Sequence, residues 1–283
     1  MFSCQLANTY SPTKNYSVNN WFSTPKLDGI RGLYIPGQGL ISRTLKTKYV
    51  GLEHIENVCA QIAQAGYVID GELYITDEKF DVISGIVRDR KGYDITQKQR
   101  VQFHVFGLWK DNTTWANTEA MVSKIQEIIP ASQSAVVAVP YTVIETNPVI
   151  VQTQNQLNKD SGASDEGTML RHPDVAYYQG RSQHLLKVKN FEKGTFIVTD
   201  FHKGTGKYYK SLGKLSVEGK AGEVTVKSKV GTGFTDAERL DIWANQSKYT
   251  GAKIEVIYMG ITNSSSSSIK SLRHPVFSRI IQD

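Results

Sequence analysis

The sequence predicts an α+β chain in two parts, a mixed strand-and-helix domain over residues 1–190 and a small all-β barrel over 191–283. Three observations lead there. The chain has 283 residues, enough for two domains at about 100–200 residues each. Up to residue 190 strand-like and helix-like runs alternate. After Phe191 the texture changes to short β-rich runs broken by glycines.

In the first part, "YVIDGELYI" (67–75) and "VQFHVFGLW" (101–109) read as strands, being rich in β-branched and aromatic residues. Leu52, Ile55, Cys59 and Ile62 recur at helical spacing and predict an amphipathic helix over 51–64. "NTEAMVSKIQEII" (117–129) reads as a second helix, and "QTQNQLNKDSGASD" (152–165) begins helical and ends as a polar loop. In the second part, "GTFIVTDFHKG", "KLSVEG", "GEVTVKSKV" and "AKIEVIYMG" read as short strands around one helix, "TDAERLDIWAN" (235–245). That content fits a small closed barrel of the OB type. The serine run 263–268 reads as a flexible polar loop. "NFEKG" (190–194) reads as a hinge, because glycine and charge replace the hydrophobic pattern there.

Composition narrows the function. With 40% hydrophobic and 21% charged residues the chain is of ordinary globular type. No apolar run approaches the ~20 residues of a membrane span, and the start shows no charged-then-apolar leader. Two cysteines, Cys4 and Cys59, make neither a disulfide framework nor a zinc site and suit a reducing cytoplasm. The net charge of +6 favours an acidic partner such as nucleic acid.

The chemistry begins at "STPKLDGIR" (23–31). Pro25 fixes the backbone before Lys26, and Gly29 lets the chain bend or pass close to something after it. Glu72, beside the turn-prone Asp70-Gly71, lies on a strand facing away from Leu73. Glu166 precedes Gly167 in a similar way. Two such carboxylates suit a hydrated magnesium ion, a ribose or simply solvent. Lys187 and Lys189 fall on one face of a strand by period two, which points to an anion such as phosphate or to a solvated edge. Phe106 is either a flat platform for a base or a core residue. "KGTGKYY" (203–209) lacks the glycine spacing and the hydroxyl residue of a phosphate loop.

In this order the stretches resemble the covalent nucleotidyltransferases, most closely the small ATP-dependent DNA ligases of viruses and of bacterial accessory repair. Lys26-Leu27-Asp28-Gly29-Ile30-Arg31 matches the family's KxDGxR signature, and Ser42-Arg43-Thr44 its next motif. Asp70-Gly71-Glu72 matches DGE, Glu166-Gly167 with Arg171 matches EGxxxR, and Leu186-Lys187-Val188-Lys189 matches LKxK. "GTGKYYKSLGKL" (204–215), "VGTGFTDAER" (230–239) and "SLRHPVFSRI" (271–280) resemble the family's OB domain. Two departures stand out: Phe106-Gly107 where the family often has Phe-Asp, and a tail Arg279-Ile280-Ile281-Gln282-Asp283 without its second arginine.

The resemblance implies an adenylation domain of antiparallel sheets with flanking helices, followed by the OB domain. It implies that Lys26 attacks ATP and carries AMP. Only the neutral amine attacks, and at an unperturbed pKa near 10.4 roughly one lysine in a few thousand is neutral at pH 7. Arg31, Lys187, Lys189 and magnesium would supply a field that favours it. It further implies that Glu72 and Arg31 meet the ribose, that Thr24 meets adenine through its backbone, that Phe106 stacks on the base, and that Glu72 and Glu166 place Mg2+, with Mn2+ as substitute. Asp28 and Arg43 would serve the later steps. The implied partner is nicked duplex DNA, held by a cytoplasmic monomer through Lys203, Lys207, Lys210 and Lys214 of the barrel with Arg43 and Lys46. The turn 217–223 is too short to encircle a duplex about 20 Å across, at ~3.3–3.6 Å per residue. The alternatives are an RNA ligase, an mRNA-capping guanylyltransferase using GTP, and a non-catalytic nucleic-acid-binding protein.

Overall fold

The computed structural model describes residues 2–89, 94–110, 115–164, 166–262 and 270–281. The serine run 263–268 and the last two residues of the tail lie outside them. Two compact units divide after Lys189.

The first unit carries strands β1 (Gln5–Thr9), β2 (Asn20–Pro25), β3 (Ile30–Ile35), β4 (Gly39–Ser42), β5 (Val68–Tyr74), β6 (Gln102–Trp109), β7 (Val136–Ala138), β8 (Thr142–Glu145), β9 (Gly167–Arg171) and β10 (Gly180–Lys189). Its helices are α1 (Glu53–Ile62), α2 (Phe80–Arg88), α3 (Ile95–Gln99), α4 (Thr118–Ile128) and α5 (Pro148–Asp160). The strands form two five-stranded sheets, ordered β1-β10-β9-β2-β8 and β4-β3-β5-β6-β7. Each sheet buries one face against helices. Leu73, Phe103 and Val105 pack with Ile55 and Cys59 of α1, Ile83 of α2 and Met121 and Ile125 of α4. Trp21, Leu170, Leu186 and Val188 pack with Val151 of α5. Pairing is antiparallel except β1 on β10 and β7 on β6, which are parallel.

Asn117 and Asn147 cap α4 and α5, each side chain accepting from a first-turn N–H. Asp70-Gly71 is not a turn. It lies inside β5 at a register shift against β6, and a Cβ on Gly71 would meet the His104 carbonyl oxygen at 2.6 Å. The glycine serves close approach of two strands.

The second unit carries β11 (Glu192–Lys203), β12 (Leu212–Ala221), β13 (Val224–Val230), α6 (Asp236–Ala244), α7 (Gln246–Tyr249), β14 (Lys253–Tyr258), β15 (Ile261–Thr262), β16 (Ser271–Leu272) and β17 (Val276–Ile280). Five strands run β13-β12-β11-β14-β17. Bridges Val226–Lys270 and Thr232–Val276 tie the two ends together, closing the barrel around Phe196, Val217, Val226, Val256 and Phe277. Thr235 and Glu238 form a reciprocal capping box at the start of α6.

Strands β11 and β12 are longer than the glycine-broken pattern predicts. Glu192, Lys193 and Gly194 pair with Tyr258, Ile257 and Val256, so most of the expected 190–194 hinge is regular strand. Gly194 and Gly219 both lie against the Phe196 ring, where a Cβ would approach within 2.8 and 2.9 Å. They make room for an aromatic side chain rather than for a turn. Gly222-Glu223 alone joins β12 to β13, so the hairpin tip is even shorter than the turn read from sequence.

Candidate active site

A cavity of about 290 Å³ opens in the first unit. Both sheets line it: Thr24 of β2, Met169 of β9 and Lys187 and Lys189 of β10 from one, and Arg31 of β3, Glu72 of β5 and Phe106 of β6 from the other. Lys26 and Glu166 stand on the connecting segments. The walls carry seven cationic side chains and two carboxylates, a balance that suits a polyanion.

Lys26 is fixed by its backbone. Its N–H donates to the Gly167 carbonyl at 2.9 Å, and its carbonyl accepts from the Ser164 hydroxyl. Ser164 also receives the Glu166 and Gly167 N–H groups at 3.1 and 3.2 Å. Gly167 has φ 130°, and a Cβ there would lie 2.0 Å from the Val188 oxygen, so only glycine fits. Gly29 allows the close passage its position suggests: a Cβ would meet the Leu73 carbonyl oxygen at 2.4 Å. The Lys26 ammonium is ion-paired with Glu166, the two side chains being 20% and 14% exposed.

Arg31 is held by Asp70 through two hydrogen bonds, Nε to Oδ1 at 2.9 Å and Nη2 to Oδ2 at 2.5 Å. Tyr177 donates its hydroxyl to the same Oδ2 at 2.6 Å. Burial opposes the Arg31 charge, but Asp70 outweighs it and the guanidinium stays protonated. Its carbon lies 5.3 Å from the centroid of the Phe106 ring. Burial pushes Glu72 up to about 8, against the pull of Lys26 and Arg31. Lys187 is lowered, first by burial and then by Lys189, Arg181 and Lys26. The like charges that period two brings together on β10 are therefore felt.

Residues 4–189 match the family described as ATP dependent DNA ligase domain. The chain belongs to the ATP-dependent DNA ligases. Residues 203–280 of the ligase match a second family, described as DNA ligase OB-like domain. It is 27% identical over 261 residues to a DNA ligase of Haemophilus influenzae, covering 92% of this chain and 87% of that one. Its fold is similar to a structure described as Pmar-Lig_PreS3, with TM-score 0.84, 24% identity, and coverage of 99% of this chain and 67% of that one. It is also similar to a structure from a structure-function analysis of Lig E DNA ligases, with TM-score 0.77, 23% identity, and coverage of 99% and 100%. It is an enzyme that uses ATP and binds DNA, and its α+β domain precedes an OB-like one. Among the described residues no helix is long and apolar enough to cross a membrane.

Of the residues singled out in the ligase sequence, the cavity gathers Thr24, Lys26, Arg31, Arg43, Glu72, Phe106, Glu166, Lys187 and Lys189. Asp28 and Lys46 do not line it. At Gly107, the first of the two departures, the Tyr177 ring lies 2.9 Å from where a Cβ would stand, which leaves little room for a larger residue. Arg171 proves to be a strut. Buried in the cavity wall, it donates to Gln5 Oε1, to the Ala176 carbonyl at 2.6 Å and to the Phe106 carbonyl at 3.1 Å. Tyr141, which donates to the Phe106 carbonyl at 2.7 Å, Ser164 and Tyr177 belong to no motif, and nothing in their sequence context signals them.

In the second unit Lys203, Lys207, Lys210 and Lys214 are exposed, around the turn between β11 and β12. Residues 190–283 hold fourteen Lys and Arg against nine Asp and Glu, so this third of the chain carries five of its six net positive charges.

Proposed function

We propose that the enzyme seals 5′-phosphate/3′-hydroxyl nicks in duplex DNA through AMP bound covalently to Lys26. Residues 1–190 act as the adenylation domain and 191–283 as the OB domain. The observation that carries the reading is the cavity: a backbone-anchored lysine faces a strand pair of lysines, a carboxylate and an aromatic ring. Lys26 Nζ attacks the α-phosphorus of ATP. A P–N bond forms, the α–β P–O bond breaks, and pyrophosphate leaves. AMP then passes to the 5′-phosphate of the nick, and the 3′-hydroxyl displaces it as the phosphodiester forms.

Attack needs a neutral amine, so the Lys26–Glu166 pair has to be given up and the ammonium proton lost. Lys187 and Lys189 stand where they can stabilise charge on the phosphoryl oxygens. Phe106 offers its face to adenine, and Glu72 and Arg31 meet the ribose, with Thr24 contributing its backbone. Asp28 and Arg43 serve the steps at the nick.

Glu72 and Glu166 fit a magnesium ion that keeps its waters and takes phosphate oxygens. Among the described residues there is no group of three or more acidic, histidine or cysteine side chains that would form a complete cage. Mg2+, or Mn2+ in its place, would supply positive charge at the phosphates when bound. We place the enzyme in the cytoplasm as a monomer that grips the duplex through Arg43, Lys46, Lys203, Lys207, Lys210 and Lys214. The two-residue tip of the β12–β13 hairpin cannot encircle DNA.

The test is sealing of a singly nicked duplex with ATP or GTP, with DNA or RNA strands at the break. Sealing of DNA with ATP alone is expected. Label transfer only from GTP would make it a capping enzyme, preference for RNA strands an RNA ligase, and no label a binding protein.

A further inference from the structure

The turn between β11 and β12 presents an exposed aromatic side chain, inside the OB-like stretch 204–215, to which the reaction assigns no role. Tyr209 is 55% exposed, although the turn around it is tightly built. Gly204 donates its N–H to the Ser211 carbonyl at 2.9 Å, Tyr208 to Thr205 at 3.1 Å and Ser211 to Tyr208 at 2.9 Å. The adjacent Tyr208 ring has Lys207 Nζ at 4.5 Å and the Arg239 guanidinium at 4.4 Å from its centroid. Arg239 is buried and clamps the turn's base, donating to the carbonyls of Leu212, Gly213 and Gly231 at 2.8, 3.0 and 2.8 Å. Tyr209 is thus held out on a rigid support, with Lys210 Nζ 5.3 Å from its ring centroid.

An exposed aromatic on a preordered turn loses little side-chain entropy on contact and offers a large rigid face. Lys207 and Lys210 on the turn and Lys203 and Lys214 on the strands flanking it are exposed, so the complementary partner carries closely spaced negative charge beside apolar surface. A DNA strand has both, as phosphates and deoxyribose faces. We propose that Tyr209 is a DNA-contact residue that packs its ring on the sugar faces while its lysine neighbours take the phosphates. This rests on the reading of the enzyme as a ligase of duplex DNA.

The two kinds of contact separate by their salt dependence. A phosphate contact releases counterions and steepens the fall of affinity with salt, whereas a neutral ring contact releases none. Affinity for a nicked duplex, measured across a salt series, tests it. Tyr209→Ala is expected to weaken binding about tenfold, ~1.4 kcal/mol, at every salt concentration with the slope unchanged. Tyr209→Phe is expected to bind as wild type does. Since the ring is exposed, Tyr209→Ala is expected to melt with wild type; a lower melting temperature would show that the ring packs on its own domain and overturn the proposal. Wild-type affinity in Tyr209→Ala, a changed slope, or equal loss in Tyr209→Phe would each overturn it too. Failure of the wild-type protein to bind nicked DNA at all would remove the ligase reading, and this with it.

Discussion

Lys26 is useful only as a free amine, yet its ammonium rests against Glu166. The residue that answers for pH is its neighbour Glu72, pushed up to about 8 from an ordinary 4.5 by burial. Between those values the unfolded chain has released a proton that the folded protein retains. The folded state binds more protons, so stability falls as pH rises through this window. Glu72→Gln removes that dependence. The variant should melt above wild type at pH 8.5 and close to it at pH 5, the gap growing by about 2–4 °C for each kcal/mol in a protein of this size. Thermal melting at the two pH values checks it, and an equal gap at both would count against it. At this scale the motif residues were legible: Lys26, Glu72, Phe106, Glu166, Lys187 and Lys189 all reach one cavity. Their supports were not. Asp70 holds Arg31 from the point where the β5–β6 register shifts and leaves Phe106 of β6 unpaired, and Tyr177 reaches it across 107 residues of chain. No local pattern encodes a partner so distant.

Strands and helices with strong periodicity were legible as elements. The 51–64 pattern became α1, with Ile55 and Cys59 buried, and 235–245 contains α6. β1 went unread because "QLANT" has neither alternation nor β-branched runs; it is fixed by parallel pairing to β10. Glycines misled most. Gly71, Gly194 and Gly219 look like breaks but sit inside strands where another backbone or ring comes close. Gly107 is of the same kind, and it yields a prediction. Gly107→Asp, which restores the family's commoner residue, places a Cβ 2.9 Å from the Tyr177 ring and 3.6 Å from the Asp70 Cβ. Overpacking costs about 1–3 kcal/mol, and a second carboxylate beside Asp70 adds to it. The variant should melt lower and adenylate more slowly. In a Tyr177→Ala background the added loss should shrink, because the obstructing ring is gone. Equal loss in both backgrounds, measured by melting, would contradict the steric account.

Across the whole molecule charge is divided unevenly, with residues 190–283 carrying most of the positive excess. Basic composition was legible as a nucleic-acid signal, and the change of texture after Phe191 lies close to the boundary of the two compact units at Lys189. If Lys207 and Lys210 each meet a phosphate, the Lys207→Ala, Lys210→Ala double variant should flatten the plot of log affinity against log salt by about 0.9 per lost contact. Nick binding across a salt series measures this, and an unaltered slope would take both lysines off the DNA. The reaction as a whole turns on one bond, that between Lys26 and AMP. The most direct measurement compares Lys26→Ala with wild type in two assays, covalent labelling by ATP and sealing of a nick that already carries AMP. Lys26→Ala should take no label yet continue, more slowly, to seal the pre-adenylated nick. A variant that still forms a stable protein–AMP adduct would contradict it.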